Sequence, residues 1–61
     1  GMVWCNIEKG MVYQIGSKVG VYNGNIIAKQ SIKDLEVLRN FYELGTIITI
    51  DASLSKIKIF V

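Results

Sequence analysis

The sequence predicts an α+β domain in the order ββββαββ: a small antiparallel sheet with a single helix packed on it. Three observations point there. An Asn-Gly pair sits between two β-prone runs, an amphipathic stretch with a serine at its start follows it, and alternating apolar residues occupy both ends of the chain. A small partly closed barrel is the competing arrangement.

Met2-Val3-Trp4-Cys5-Asn6-Ile7-Glu8 opens the chain as a half-buried strand, with Val3, Cys5 and Ile7 on one side and Trp4, Asn6 and Glu8 on the other. Lys9-Gly10 reads as a turn. Met11-Val12-Tyr13-Gln14-Ile15 reads as a second strand, with Met11, Tyr13 and Ile15 sharing a face, and Gly16-Ser17 breaks the pattern again. Lys18-Val19-Gly20-Val21-Tyr22 and Asn25-Ile26-Ile27-Ala28-Lys29 flank Asn23-Gly24. Both residues tolerate positive φ, so a two-residue type I′ hairpin is expected there, completing a four-strand antiparallel meander.

A helix is expected next. Ser31 is placed as its N-cap, and Asp34 three residues on supplies the reciprocal half of a capping box. Ile32, Leu35, Val37, Leu38, Phe41, Tyr42 and Leu44 cover a broad face at helical spacing, while Lys33, Glu36, Arg39, Asn40 and Glu43 gather opposite. Gly45 is placed as the left-handed residue that ends the helix. Thr46-Ile47-Ile48-Thr49-Ile50 is β-branched and unbroken, so a strand follows. After a loop at 51–54, Ser55-Lys56-Ile57-Lys58-Ile59-Phe60-Val61 alternates, with Ile57, Ile59 and Val61 facing one way and Lys56, Lys58 and Phe60 the other. These last two strands should form a second hairpin.

Sixty-one residues make one small domain, 1–61, and 51% of them are hydrophobic. A chain this short buries only about 60% of the surface its unfolded form exposes, so that composition implies either an unusually complete core or an apolar face buried against another chain, most simply in a homo-oligomer. Net charge is +2, too small by itself to imply nucleic acid or membrane. No apolar run approaches the roughly 18 residues of a membrane-spanning helix, and no secretory leader is legible. Gly1 before Met2 has the look of a residue left by tag cleavage. One cysteine, Cys5, fits a reducing cytoplasm.

Histidine is absent and there is a single cysteine, which removes His-dependent nucleophilic catalysis and zinc sites built on cysteine clusters. Gly16-Ser17-Lys18-Val19-Gly20 lacks phosphate-loop spacing and precedes a strand. Asp34, Glu36 and Glu43 are explained by the cap and the solvated helix face, and nothing beside Cys5 would activate its thiol. No catalytic group, metal or cofactor is expected. What remains is an outward set, Trp4 and Phe60 with Lys56 and Lys58. It reads as an interaction surface for protein, or alternatively as a platform on which bases stack beside lysines.

Tyr22-Asn23-Gly24, Gln30-Ser31-Ile32 and the run from Gly45 to Ile50 give residues 19–52 a resemblance to the histidine-containing phosphocarrier protein of the bacterial sugar phosphotransferase system. This chain lacks that family's phosphorylated histidine, the helix that histidine begins, and its last helix, so phosphate carriage is excluded. One position carries over. Ser31 matches the regulatory serine of Gram-positive members, so the resemblance implies a candidate phosphosite there. The expected function is a small non-catalytic protein–protein interaction or regulatory module, with a small nucleic-acid-binding domain as the alternative.

Overall fold

In the computed structural model, which describes residues 1–61, the chain forms β1 (Met2–Asn6), β2 (Lys18–Tyr22), β3 (Asn25–Ala28), a 3-10 turn (Lys29–Ser31), α1 (Leu35–Arg39), β4 (Tyr42–Asp51) and β5 (Lys56–Phe60). All five strands join one antiparallel sheet in the order β1-β5-β4-β2-β3.

β4 is the hub. Its first half pairs with β2, from Val21 opposite Tyr42 to Lys18 opposite Thr46, and its second half pairs with β5, from Thr46 opposite Phe60 to Asp51 opposite Lys56. Two bulges interrupt it. Val19 faces Gly45 while Gly20 faces Glu43, leaving Leu44 extra, and Ile47 faces Ile59 while Thr49 faces Lys58, leaving Ile48 extra. Each bulge bends the strand and increases its twist, so the sheet curls. Two glycines permit the tight crossings. A Cβ on Gly45 would collide with the Phe60 carbonyl oxygen, and one on Gly20 would strike the Tyr42 carbonyl and lie 2.6 Å from Cζ of Phe41.

The Asn-Gly hairpin forms as the sequence indicates. Asn23 and Gly24 carry φ of 54° and 81°, the positive pair that a type I′ turn requires. The β4–β5 hairpin also forms. Its turn is held by the Asp51 carboxylate, which accepts from the Ser53 hydroxyl at 2.6 Å and from the Leu54 N–H at 3.1 Å. The inward residues Tyr13, Val19, Ala28, Ile47, Ile57 and Ile59 make the buried core, with Cys5, Ile7, Met11, Ile26, Leu44 and Ile50 packed around them. No polar or charged residue is buried.

Residues 7–17 run from the end of β1 to the start of β2 without forming a strand, and they close the curled sheet. The Tyr13 hydroxyl accepts from the Glu8 N–H at 2.9 Å and donates to the Ile26 carbonyl of β3 at 2.8 Å. It thereby ties the end of one edge strand to the other edge strand. Beside it, the Ala28 N–H donates to Sδ of Met11 at 3.1 Å. The outer edge of β3 is covered by these two side chains.

The observed architecture corrects the expected ββββαββ domain in three respects. The helix packed on the sheet is absent: α1 has five residues, none buried. Asp34, not Ser31, caps it, accepting from the Glu36 N–H at 2.8 Å, and the Asn40 side-chain amide closes the other end by donating to the Glu36 carbonyl at 2.8 Å. Ser31 ends the 3-10 turn, and Ile32 after it is already extended. Gly45 lies within β4 rather than ending a helix. The physical reason is competition. A helix running to Leu44 would deprive β2 of its partners Tyr42 and Glu43 and lift the Phe41 ring off Gly20. A long ladder at the sheet centre outweighs one more turn of a short helix, whose nucleus is costly.

Second, the expected strand at 11–15 is a loop, although Met11 and Tyr13 do face the core together. Third, the sheet is not a meander: β1 pairs with β5, the last strand, instead of with its sequence neighbour.

Candidate interaction surface

The outer face of β1, β5 and β4 is laid out by register in three rows. Met2, Phe60 and Thr46 form the first; Trp4, Lys58 and Thr49 the second; Asn6, Lys56 and Asp51 the third. Period-two alternation puts these side chains opposite Cys5, Ile57 and Ile59, which the core holds inward. The four outward residues expected from the sequence, Trp4, Lys56, Lys58 and Phe60, therefore do share one face on adjacent strands. Trp4 is 48% exposed, Met2 55% and Phe60 54%, so three large apolar side chains stand together half in water.

Lys58 sits beside the indole, with Nζ 5.6 Å from the Trp4 ring centroid. At that range an exposed cation–π contact contributes about 0.5–1 kcal/mol and orients both groups. Lys18 extends the first row, its Nζ donating to Oγ1 of Thr46 at 2.8 Å. The chain's one ion pair, Lys29 with Glu43 at 3.2 Å, does not involve these lysines, so Lys56 and Lys58 carry uncompensated charge. Asp51, in the row of Lys56, spends its carboxylate on the turn. Hydrogen bonds from the Ser53 hydroxyl, then from the Leu54 N–H, hold its carboxyl below the ordinary value of 3.8.

Cys5 is partly covered on the inner face, and burial raises its thiol above the ordinary value of 9.0. Its environment is the opposite of one that activates a nucleophile. Ser31 is exposed and follows β3, the strand at the far edge from β1, so the structure does not bring it to the Trp4 face. With Asp34 as the cap of α1, a phosphate on Ser31 would lack the helix N-terminus that the sequence suggested for it.

Two features of the surface escaped the sequence reading. Met2 belongs to the apolar row, and its even spacing from Trp4 could have shown it. The other is the state of the β1 edge. The Gly1 carbonyl accepts from the Val61 N–H at 2.9 Å, and the Ile7 N–H donates to the Ser55 carbonyl at 3.1 Å. Bonds to β5 therefore fall on the odd-numbered residues, and the N–H and C=O groups of Met2, Trp4 and Asn6 point away from the sheet. That follows from the strand order and has no signal in the sequence.

The surface carries no pocket, and no three His, Cys, Asp or Glu side chains converge where a metal ion could be held. No helix is long and apolar enough to cross a membrane. The chain matches no protein-family model, no curated protein and no solved structure.

Proposed function

We propose that the chain is a small protein–protein interaction module, without catalytic activity of its own, that self-associates through the face and edge of β1 and β5. One observation carries the reading: Met2, Trp4 and Phe60 stand half exposed on adjacent strands at a sheet edge that nothing covers. A core of six buried residues is small for a chain that is 51% hydrophobic, and association would bury part of the remainder. The single cysteine fits work in a reducing compartment such as the cytoplasm.

Sedimentation velocity over a wide concentration range tests this. The wild-type chain should shift from its 6.8 kDa monomer toward twice that mass. Trp4→Ala with Phe60→Ala should hold it monomeric, while Lys56→Ala with Lys58→Ala should leave association in place. A wild-type chain that stays monomeric throughout contradicts the proposal.

A second reading has an observation of its own. Lys58 over Trp4, with Lys56 and Phe60 alongside, is an arrangement on which single-stranded nucleic acid can stack while its phosphates meet the lysines. Net charge of +2 and the carboxylate of Asp51 in the third row weigh against it. Titration with a fluorescent single-stranded oligonucleotide decides: binding that disappears with the paired lysine substitutions, and weakens with added salt, would favour this reading.

A further inference from the structure

We infer that the partner is a second copy of this chain, docked by antiparallel pairing of β1 with β1 about a two-fold axis at Trp4. The inference rests on the self-association reading and adds to it a strand, a register and a geometry.

The two edges of the sheet are treated differently. At β3 the Ile26 carbonyl and the Ala28 N–H are taken by the Tyr13 hydroxyl and the Met11 thioether. At β1 the corresponding groups of Met2, Trp4 and Asn6 are left open. Proteins ordinarily blunt such an edge with lysine, proline, a bulge or a covering loop. Met2–Asn6 contains no charged residue and no proline, and its register with β5 is unbroken. An open, uncharged, regular edge is a template for another strand.

The edge is also self-complementary. In an antiparallel pair, a residue with outward main-chain groups must face another of the same kind. Placing Trp4 against Trp4 of the second copy sets Met2 against Asn6 and Asn6 against Met2, and every open residue finds a partner. Shifting by one pair either way leaves Met2 or Asn6 out, or recruits Glu8, whose N–H already belongs to Tyr13. Val3, on the inner face yet 45% exposed, then meets Cys5 of the other copy and is covered. The two indoles become neighbours on the outer face. The Lys58 side chains stay about 14 Å apart across three strand spacings, beyond the ~8 Å over which charges act at physiological ionic strength.

The area sets the strength. Half-exposed Met2, Val3, Trp4 and Phe60 offer on the order of 300 Å² of apolar side chain per copy, against about 800 Å² per partner in a standard stable interface. The dimer is therefore concentration-dependent, and it carries a continuous sheet of twice five strands.

Cysteine crosslinking reads the register. Centred on Trp4, residues 3 and 5 of opposite copies form a non-hydrogen-bonded pair with Cα atoms about 4.5 Å apart, within disulfide range. Cys5 and Cys5 of the two copies lie about 8 Å apart, beyond it. Under mild oxidation Val3→Cys should give a dimer on a non-reducing gel, and neither the wild type nor Val3→Cys with Cys5→Ser should do so. Far-UV circular dichroism confirms that each variant is folded, and sedimentation of the reduced proteins reports association independently. Crosslinking of wild-type Cys5 would shift the axis to residue 5, and crosslinking of the Cys5→Ser double variant would shift it to residue 3; either overturns the register. A dimer by sedimentation with no crosslink in any variant overturns β1 pairing but leaves self-association standing. A monomer at every concentration overturns both.

Discussion

Replacing Tyr13 with Phe removes one oxygen atom from the place where the curled sheet is tied together. The aromatic ring, 9% exposed, stays and keeps its contacts, so burial of the ring cancels in the comparison. What is lost is a bridge: the Glu8 N–H at 2.9 Å loses its acceptor and the Ile26 carbonyl at 2.8 Å loses its donor. Each such bond is worth about 0.5–1.5 kcal/mol net, and more where the orphaned group is shut away from water. Both bonds here are only part-buried, so water recovers some of the loss and a cost of about 1–3 kcal/mol follows. For a domain of this size each kcal/mol moves the melting temperature by about 4–8 °C, so a loss of ~2 kcal/mol lowers it by roughly 8–16 °C. Urea denaturation followed by far-UV circular dichroism should show an earlier midpoint with an unchanged slope. Val12→Ala, at an exposed neighbour, serves as the control. Burial raises the Tyr13 hydroxyl above its ordinary value of 10.0 in the folded chain, outweighing the lowering by the Glu8 N–H. A raised folded value gives stability that is complete below about pH 10 and lost as pH climbs through the folded value, and Tyr13→Phe should remove that alkaline loss. A shift under about 0.5 kcal/mol, or an unchanged alkaline limb, would refute the clasp.

Other consequences are equally specific. Gly45→Ala drives a methyl group into the Phe60 carbonyl at the crossing of β4 and β5, and should cost about 1–3 kcal/mol or prevent folding, measured by denaturant titration. Asp51, held below its ordinary carboxyl value by Ser53 and Leu54, contributes stability that is complete above about pH 4 and lost as pH falls through its folded value. Asp51→Asn should flatten that acid limb in a pH series of melting curves, and an unchanged limb would show that the turn does not hold the carboxylate. Gly24→Ala places a side chain at φ of 81° and should destabilise the β2–β3 hairpin by about 1 kcal/mol.

Local features of this fold are legible in the sequence, and its wiring is not. Asn23-Gly24 needs nothing beyond itself to specify a turn, and the alternation at 56–60 has no competitor, so both are read correctly. The face shared by Trp4, Lys58 and Phe60 follows from the same alternation. β4 misleads for a physical reason. Its bulges at Leu44 and Ile48 shift the strand's alternation, so the residues it turns to the core are Leu44, Ile47 and Ile50. A spacing of three is the spacing of a helix face, and with Ser31, Asp34 and Leu35 upstream it imitates an amphipathic helix. The pairing of β1 with β5 joins the two ends of the chain, a contact to which no local rule speaks. The open edge at Met2, Trp4 and Asn6, where the interaction surface lies, depends wholly on that pairing.

Amide hydrogen exchange at low and high protein concentration tests most directly whether the β1 edge is a contact surface. The N–H groups of Met2, Trp4 and Asn6 should exchange quickly in dilute solution and become protected as concentration rises. Those of Val3 and Cys5, already bonded to β5, should be protected throughout. Exchange at Trp4 and Asn6 that stays fast at every concentration would contradict an edge built to pair.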